Sequence, residues 1–228
     1  MSPAAFAMLD PSVMPVKIKI CGLSTPETLE AALEAGADFV GLVHFARSPR
    51  HVEPSVAAAL ANLARGRAKV VCLTVDADDA LFDRLVTVVR PDYLQLHGAE
   101  TPERVAGIVR RWGVPAIKAV KVAVLADAAA AEAYRGIAAF PLFDAKATAG
   151  GTEKLPGGNG IAFDWRAIEG AAARGPFMLS GGLDPGNVAE AMRLTGAPMV
   201  DVSSGVERAP GVKDTGRIRD FLAAARAG

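Results

Sequence analysis

Two side chains in this sequence stand where acid–base chemistry could be done, and two glycine- and serine-rich turns stand where an anion could be held. Cys21 ends an alternating run, Lys17-Ile18-Lys19-Ile20-Cys21-Gly22, in which Lys17, Lys19 and Cys21 share one face. A lysine on an otherwise apolar strand is costly unless it is paired. Beside a thiol it would favour the thiolate, lowering a pKa that starts near about 8.5. Cys21 therefore reads either as a catalytic thiolate or as a small apolar filler. Cys72, inside Val70-Val71-Cys72-Leu73-Thr74-Val75 with no charged neighbour, reads as filler. Asp144 closes the apolar run Phe140-Pro141-Leu142-Phe143, and reads either as an acid or as a helix cap or solvated loop residue.

The anion signals lie further on. Ser180-Gly181-Gly182-Leu183 follows one apolar run and Ser203-Ser204-Gly205 follows the next. Such turns offer free backbone N–H groups and hydroxyls, and a helix start after each adds a favourable dipole. Tight turns alone would also explain the glycines. Asp201 shares a strand face with Ser203, where it either balances Lys19 or holds a substrate hydroxyl. Arg47 and Arg50 bring two guanidiniums suited to a carboxylate or a phosphate. His97 ends a strand on the same face as Gln95, His44 ends another, and His51 lies in a loop. With no His-x-His or His-x-x-x-His pair, no metal site is expected.

Positioning these groups requires a repeating frame. Apolar or β-branched runs begin near Lys17, Asp38, Lys69, Asp92, Ala116, Ala138, Pro176 and Pro198, each followed by an alanine-rich helical stretch. Eight units in 228 residues leave about 28 residues each, close to the minimum for a strand, a helix and two loops. Ser24-Thr25-Pro26-Glu27 is a helix start with Gly36 as its stop, Thr101-Pro102-Glu103 repeats it, and Asp184-Pro185 is a third version. The fold expected is α/β, a single-domain (β/α)8 barrel over residues 16–228, with residues 1–15 a flexible leader. A doubly wound open sheet is the rival, disfavoured by the strand count and by the lack of Gly-x-Gly-x-x-Gly after the first strand. In a barrel the chemistry sits where strands run into the following loops, and anion turns after strands 7 and 8 suit a phosphate. The glycine-rich stretch from Gly150 to Gly160, ahead of Phe163-Asp164-Trp165, reads as a lid or binding loop.

Composition removes other classes. Twenty-five basic side chains balance twenty-five acidic ones, which argues against nucleic acid or an anionic membrane as partner. Hydrophobic residues reach 51% with only 6% aromatics, because 45 residues are alanine, which is helix filler. No run approaches the roughly 18 apolar residues of a spanning helix. Met1 to Val16 has neither the basic start of a signal peptide nor the arginines of a transit peptide, so a cytoplasmic protein with reduced thiols is expected.

Taken together, Lys17 to Gly22, Ser48-Pro49-Arg50, Gln95-Leu96-His97-Gly98, Phe143-Asp144, Gly157-Gly158-Asn159-Gly160, Phe163-Asp164-Trp165, Ser180 to Leu183 and Asp201 to Glu207 resemble the phosphoribosylanthranilate isomerase family of tryptophan biosynthesis, in the family's order. The departures are the leader before Met14 and His51, where the family often has tyrosine. The resemblance implies a (β/α)8 barrel that performs an Amadori rearrangement without metal or cofactor, as a monomer or homodimer with a small phosphorylated substrate. It makes Cys21 the general base and Asp144 the general acid, so that in the reactive form Asp144 holds a proton and Cys21 has lost one. It gives Arg50 to the anthranilate carboxylate and Gly181, Gly182, Ser203, Ser204 and Gly205 to the phosphate, with Lys19, His97 and Asp201 as further substrate-site residues. A related aminoaldose isomerase of histidine biosynthesis, expected to have a carboxylate in place of Cys21, and a catalytically silent phosphometabolite-binding barrel are the alternatives.

Overall fold

The computed structural model describes residues 15–123, 125–145, 168 and 175–228. Eight parallel strands close into a barrel in chain order: β1 (Lys17–Cys21), β2 (Phe39–His44), β3 (Lys69–Thr74), β4 (Tyr93–Leu96), β5 (Ala116–Val122), β6 (Phe140–Ala145), β7 (Met178–Ser180) and β8 (Met199–Val202). Each begins within two residues of the start expected from the sequence. Pairing of β1 with β8, Lys19 opposite Asp201, seals the cylinder. The expected leader falls, but for Pro15, on residues outside those described, as does the lid stretch from Gly150 to Trp165.

Alternation along the strands sorts side chains into two cores. Ile18, Ile20, Val40, Leu42, Val70, Cys72, Leu94 and Leu96 face outward and pack under the helices against Leu29, Leu60, Phe82, Ile108 and Phe221. Cys72 is filler there, and burial pushes its thiol up. The inward set fills the barrel. Phe39, Val71, Ile117, Leu142, Met178 and Met199 form its lower part with Tyr93 and Phe140, the Tyr93 ring 5.9 Å from Phe39 and 5.8 Å from Phe140. Cys21, Val43 and Leu73 lie in an upper cluster. The barrel is thus plugged with apolar side chains at one end, and polar ones gather at the end where strands run into their loops.

The helices follow their local signals. In α1 (Pro26–Glu34) the Thr25 hydroxyl accepts from the Thr28 N–H at 3.3 Å, and Gly36 takes a left-handed φ of 85° after the last turn. The start of α4 (Pro102–Trp112) repeats this with Thr101, and Gly113 ends it. Between them lie α2 (Pro54–Ala64) and α3 (Asp79–Arg84), the latter running into a wide turn at Leu85–Val89. After β5 the alanine-rich stretch forms only a short α5 (Leu125–Ala128) and a 3-10 segment, Ala129–Tyr134. At the third expected start the Asp184 carboxylate accepts from the Gly186 N–H at 2.8 Å and its carbonyl from the Val188 N–H at 3.1 Å, the bonds of a capped first turn, while its own N–H donates to Asn187. The regular turns of α6 follow, over Val188–Thr195. The sequence signals missed a hairpin, β9 (Glu207–Ala209) and β10 (Val212–Lys213), inserted between β8 and α7 (Thr215–Ala227).

Gly41, opposite Cys21 in the β1–β2 register, has no side chain for a packing reason. A Cβ there would stand 2.9 Å from the Cys21 sulfur and 3.2 Å from Lys19 Cε, so the missing atom is the space that the lysine and the thiol occupy. Gly41→Val is therefore expected to destabilise the fold by about 1–3 kcal/mol through overpacking, read as a lower urea midpoint at unchanged slope.

Candidate active site

The polar end of the barrel holds a cavity lined by Cys21, Ser48, Arg50, Gln95, His97, Asp144, Ser180, Asp201 and Ser203, with Val43, Phe45, Leu73 and Val75 as its apolar wall. Five strands, β1, β4, β6, β7 and β8, and the loop after β2 thus supply polar groups to one space. Cys21 and Asp144, 3% exposed each, are brought to one cavity from β1 and β6. A second cavity adjoins through the same loops, lined by Gly182, Leu183, Asp184, Ser204, Gly205 and Arg217. The main chains of the two loops nearly touch, because a Cβ on Gly205 would lie 1.9 Å from the Leu183 carbonyl oxygen. Gly181 and Gly182 both take left-handed φ values, 94° and 67°.

Lys19 is fully buried and does not line the cavity. Its ammonium donates to Asp201 at 2.8 Å, and the other Asp201 oxygen accepts from the Ser180 hydroxyl at 3.2 Å. Between the two readings left open for Asp201, the balance of Lys19 is realised, and Lys19 supports the site from beneath. Burial alone would favour the neutral amine, but Asp201 outweighs it with help from Cys21, and Lys19 titrates above the ordinary lysine range.

Lys19 does pull the Cys21 thiol down, as expected from its place on the strand, but the net shift runs the other way. Burial pushes the thiol up, Asp201 opposes the pull of Lys19, and the thiol ends above its ordinary value.

On the facing wall, the Gln95 side-chain nitrogen lies 3.0 Å from His97 Nδ1, and His97 Nε2 lies 3.1 Å from an Asp144 oxygen. An amide nitrogen can only donate, so in this arrangement Nδ1 accepts and the Nε2 proton is directed at Asp144. The other histidines stand apart. His44 is buried outside the polar mouth, where burial pushes it down to about 4, and His51 bonds Glu53.

A model of the N-(5'-phosphoribosyl)anthranilate (PRA) isomerase family matches residues 18–224. The chain belongs to that family. An N-(5'-phosphoribosyl)anthranilate isomerase of Rhodopseudomonas palustris strain BisA53 is 56% identical over 94% of this chain and 97% of its own length. One from Parvibaculum lavamentivorans is 52% identical over 93% and 99%. The crystal structure of the phosphoribosyl anthranilate isomerase of Thermotoga maritima superposes with a TM-score of 0.83 at 33% identity, covering 93% of this chain and all of that one. Another isomerase of the family, in complex with reduced 1-(o-carboxyphenylamino)-1-deoxyribulose 5-phosphate, gives 0.79 at 31% identity over the same shares.

Within this isomerase frame, the residues that the sequence reading passed over are Glu207, Lys213 and Arg217. Arg50 gives Nε and Nη2 to the two Glu207 oxygens, at 2.7 and 2.8 Å, a bidentate pair. Lys213 donates to the same carboxylate at 2.7 Å. Arg217 donates to the Glu207 carbonyl and lines the cavity beside Gly205. The Pro210-Gly211 turn was the available signal for the hairpin that carries Lys213, although it does not reveal where the lysine goes.

Burial pushes the Glu207 carboxyl up, yet the hydrogen bonds and charges of Arg50 and Lys213 outweigh that and hold it below the usual range. A carboxyl held low in the folded state stabilises at neutral pH, and that contribution is lost only as pH falls past the unfolded value of about 4.3 and through the folded one. Glu207→Gln should cost about 3–5 kcal/mol at pH 7 and at pH 5, with the gap to wild type narrowing at pH 3. Urea unfolding at the three pH values checks this.

Proposed function

We propose that the chain catalyses the Amadori rearrangement of N-(5'-phosphoribosyl)anthranilate to 1-(2-carboxyphenylamino)-1-deoxyribulose 5-phosphate in tryptophan biosynthesis, with Cys21 as general base and Asp144 as general acid. The observation that carries the assignment is that these two side chains line one cavity whose neighbour is built from the glycine and serine loops after β7 and β8. Opening the ribose needs a proton on the ring oxygen, which Asp144 gives. The resulting Schiff base loses its C2′ proton to Cys21, and the enolamine returns to the keto form.

The reactive state needs a protonated Asp144, and the facing wall can supply one. Turning the Gln95 amide over points Oε1, otherwise buried without a partner among the described residues, at His97 Nδ1. The ring proton then sits on Nδ1, and Nε2 accepts from the Asp144 hydroxyl. One amide rotation thereby exchanges support of the carboxylate for support of the acid. Cys21 begins as a thiol; the anionic form is reached beside Lys19 and within the cation-rich mouth.

The phosphate is assigned to Gly181, Gly182, Ser203, Ser204 and Gly205, and the anthranilate carboxylate to the Arg50 edge not committed to Glu207. Ser203 spends its hydroxyl on the Cys21 carbonyl at 3.1 Å, so its share in phosphate binding would come from its position in the loop. Among the described residues no helix is long and apolar enough to cross a membrane. A cytoplasmic enzyme acting as a monomer or homodimer fits this reading; the Thermotoga maritima isomerase is dimeric.

Cys21→Ala and Asp144→Ala should each lower kcat on the order of 10²–10⁴-fold while the circular dichroism spectrum and urea midpoint stay near wild type. Turnover of Cys21→Ala at the wild-type rate would end the base assignment. For the phosphate loops, a dephosphorylated product analogue should bind far more weakly in calorimetry, and equal affinity would remove that role.

A further inference from the structure

The β9–β10 hairpin drives a lysine into the mouth of the barrel. Lys213 is 6% exposed, and its ammonium has three acceptors: the Ser203 carbonyl at 2.8 Å, the Ser203 hydroxyl at 3.1 Å and Glu207 at 2.7 Å. The same Ser203 hydroxyl donates to the Cys21 carbonyl at 3.1 Å. Lys213 is therefore one hydroxyl away from the main chain of the base on one side. On the other side it is one carboxylate away from Arg50. The hairpin is itself held over the loop after β2: a Cβ on Gly211 would lie 2.4 Å from the Pro49 carbonyl oxygen, and the Gly211 N–H donates to Glu207 at 3.2 Å.

Charge counting shows what this lysine adds. Lys19 is answered by Asp201 and Arg50 by Glu207 in close pairs. Lys213 shares the Glu207 carboxylate with Arg50 and, among the described residues, has no second anion of its own. Among those residues three cations thus stand against two carboxylates on the Cys21 side of the cavity. The groups facing the thiol are Lys19 on its own strand, Asp201 on β8, Lys213 on β10, and Arg50 with Glu207 over the mouth. Across the cavity stand His97 and Asp144, and Asp144 is neutral while it serves as the acid. A surplus positive charge at low water content is costly until an anion answers it.

We propose that Lys213 is a positioning residue for the base: through Ser203 it fixes the end of β1, and its charge adds to that of Lys19 in stabilising the Cys21 thiolate. The proposal rests on the assignment of Cys21 as base, which the Cys21→Ala measurement tests separately. Burial pushes the thiol up and the Lys213 amine down, and against that Lys213 draws the thiol down while the thiolate draws the ammonium up.

The test is the pH dependence of Cys21 alkylation by iodoacetamide, with the modified cysteine located by peptide mass spectrometry, in wild type, Lys213→Met and Lys213→Arg. Lys213→Met should move the alkylation midpoint up by about one pH unit or more, since removing a nearby cation disfavours the thiolate. The acid limb of kcat should move with it, kcat near neutral pH falling about tenfold, while Lys213→Arg keeps the midpoint within a few tenths of wild type. An unmoved midpoint in Lys213→Met, with only KM raised, would overturn the proposal and leave the lysine as a prop for Glu207 and Arg50. If Lys213→Met does not fold, Lys213→Gln, which still donates without charge, is measured against the same two outcomes. Because alkylation needs no turnover, a failure of Cys21 as base leaves this reading of Lys213 intact or refuted on its own.

Discussion

A lysine ammonium with no access to water must find an anion, and in this barrel it finds one across the closing seam. Lys19 on β1 and Asp201 on β8 are register partners, so the ion pair and the strand pairing that shuts the cylinder are one event. Leaving either charge alone in the interior would cost several kcal/mol. The pair is therefore placed where its loss would open the seam and the floor of the site together. Gly41 completes the arrangement by giving up its side chain to the stem of the lysine.

The rest of the mouth is layered on that pair. Asp201 takes the Ser180 hydroxyl, Ser203 caps the Cys21 carbonyl, and the hairpin brings a second cation against Ser203. On the facing wall the electrostatics are of another kind: Asp144 meets an imidazole and an amide, groups that can exchange donor and acceptor roles without moving a net charge. One wall gathers cations around a thiol, and the other sets a carboxyl against groups that can give or take a hydrogen bond. That division suits the two opposite proton transfers proposed for the cavity.

The frame was legible because it is written in short-range signals. Alternation placed eight strand starts within two residues, and the Thr-Pro pairs placed two helix starts, since each depends on neighbours within a turn or a pleat. The site residues were legible as members of strand ends, which is why Cys21, Arg50, Asp144 and the loops after β7 and β8 could be named. What failed depends on groups far apart in the chain. Lys19 does pull on Cys21 as its place on the strand suggests, but the sequence does not display the burial that raises the thiol or the Asp201 that opposes the pull. Lys213 carries no local signal, and only the fold of a hairpin with no apolar alternation to announce it brings the side chain inside.

The hydrogen bond from Ser203 to Cys21 joins residues 182 positions apart. Every polar layer of the base wall, from Lys19 with Asp201 up to Ser203 with Cys21, straddles that one junction between the earliest strand and the last. Contacts of such sequence separation pay the largest loop-closure entropy and form late in folding. The base wall is thus completed in the step that completes the barrel. In a chain emerging from the ribosome β2 follows β1 closely and can pair with Cys21 early, but the β8 side of β1 stays open until the last barrel strand docks.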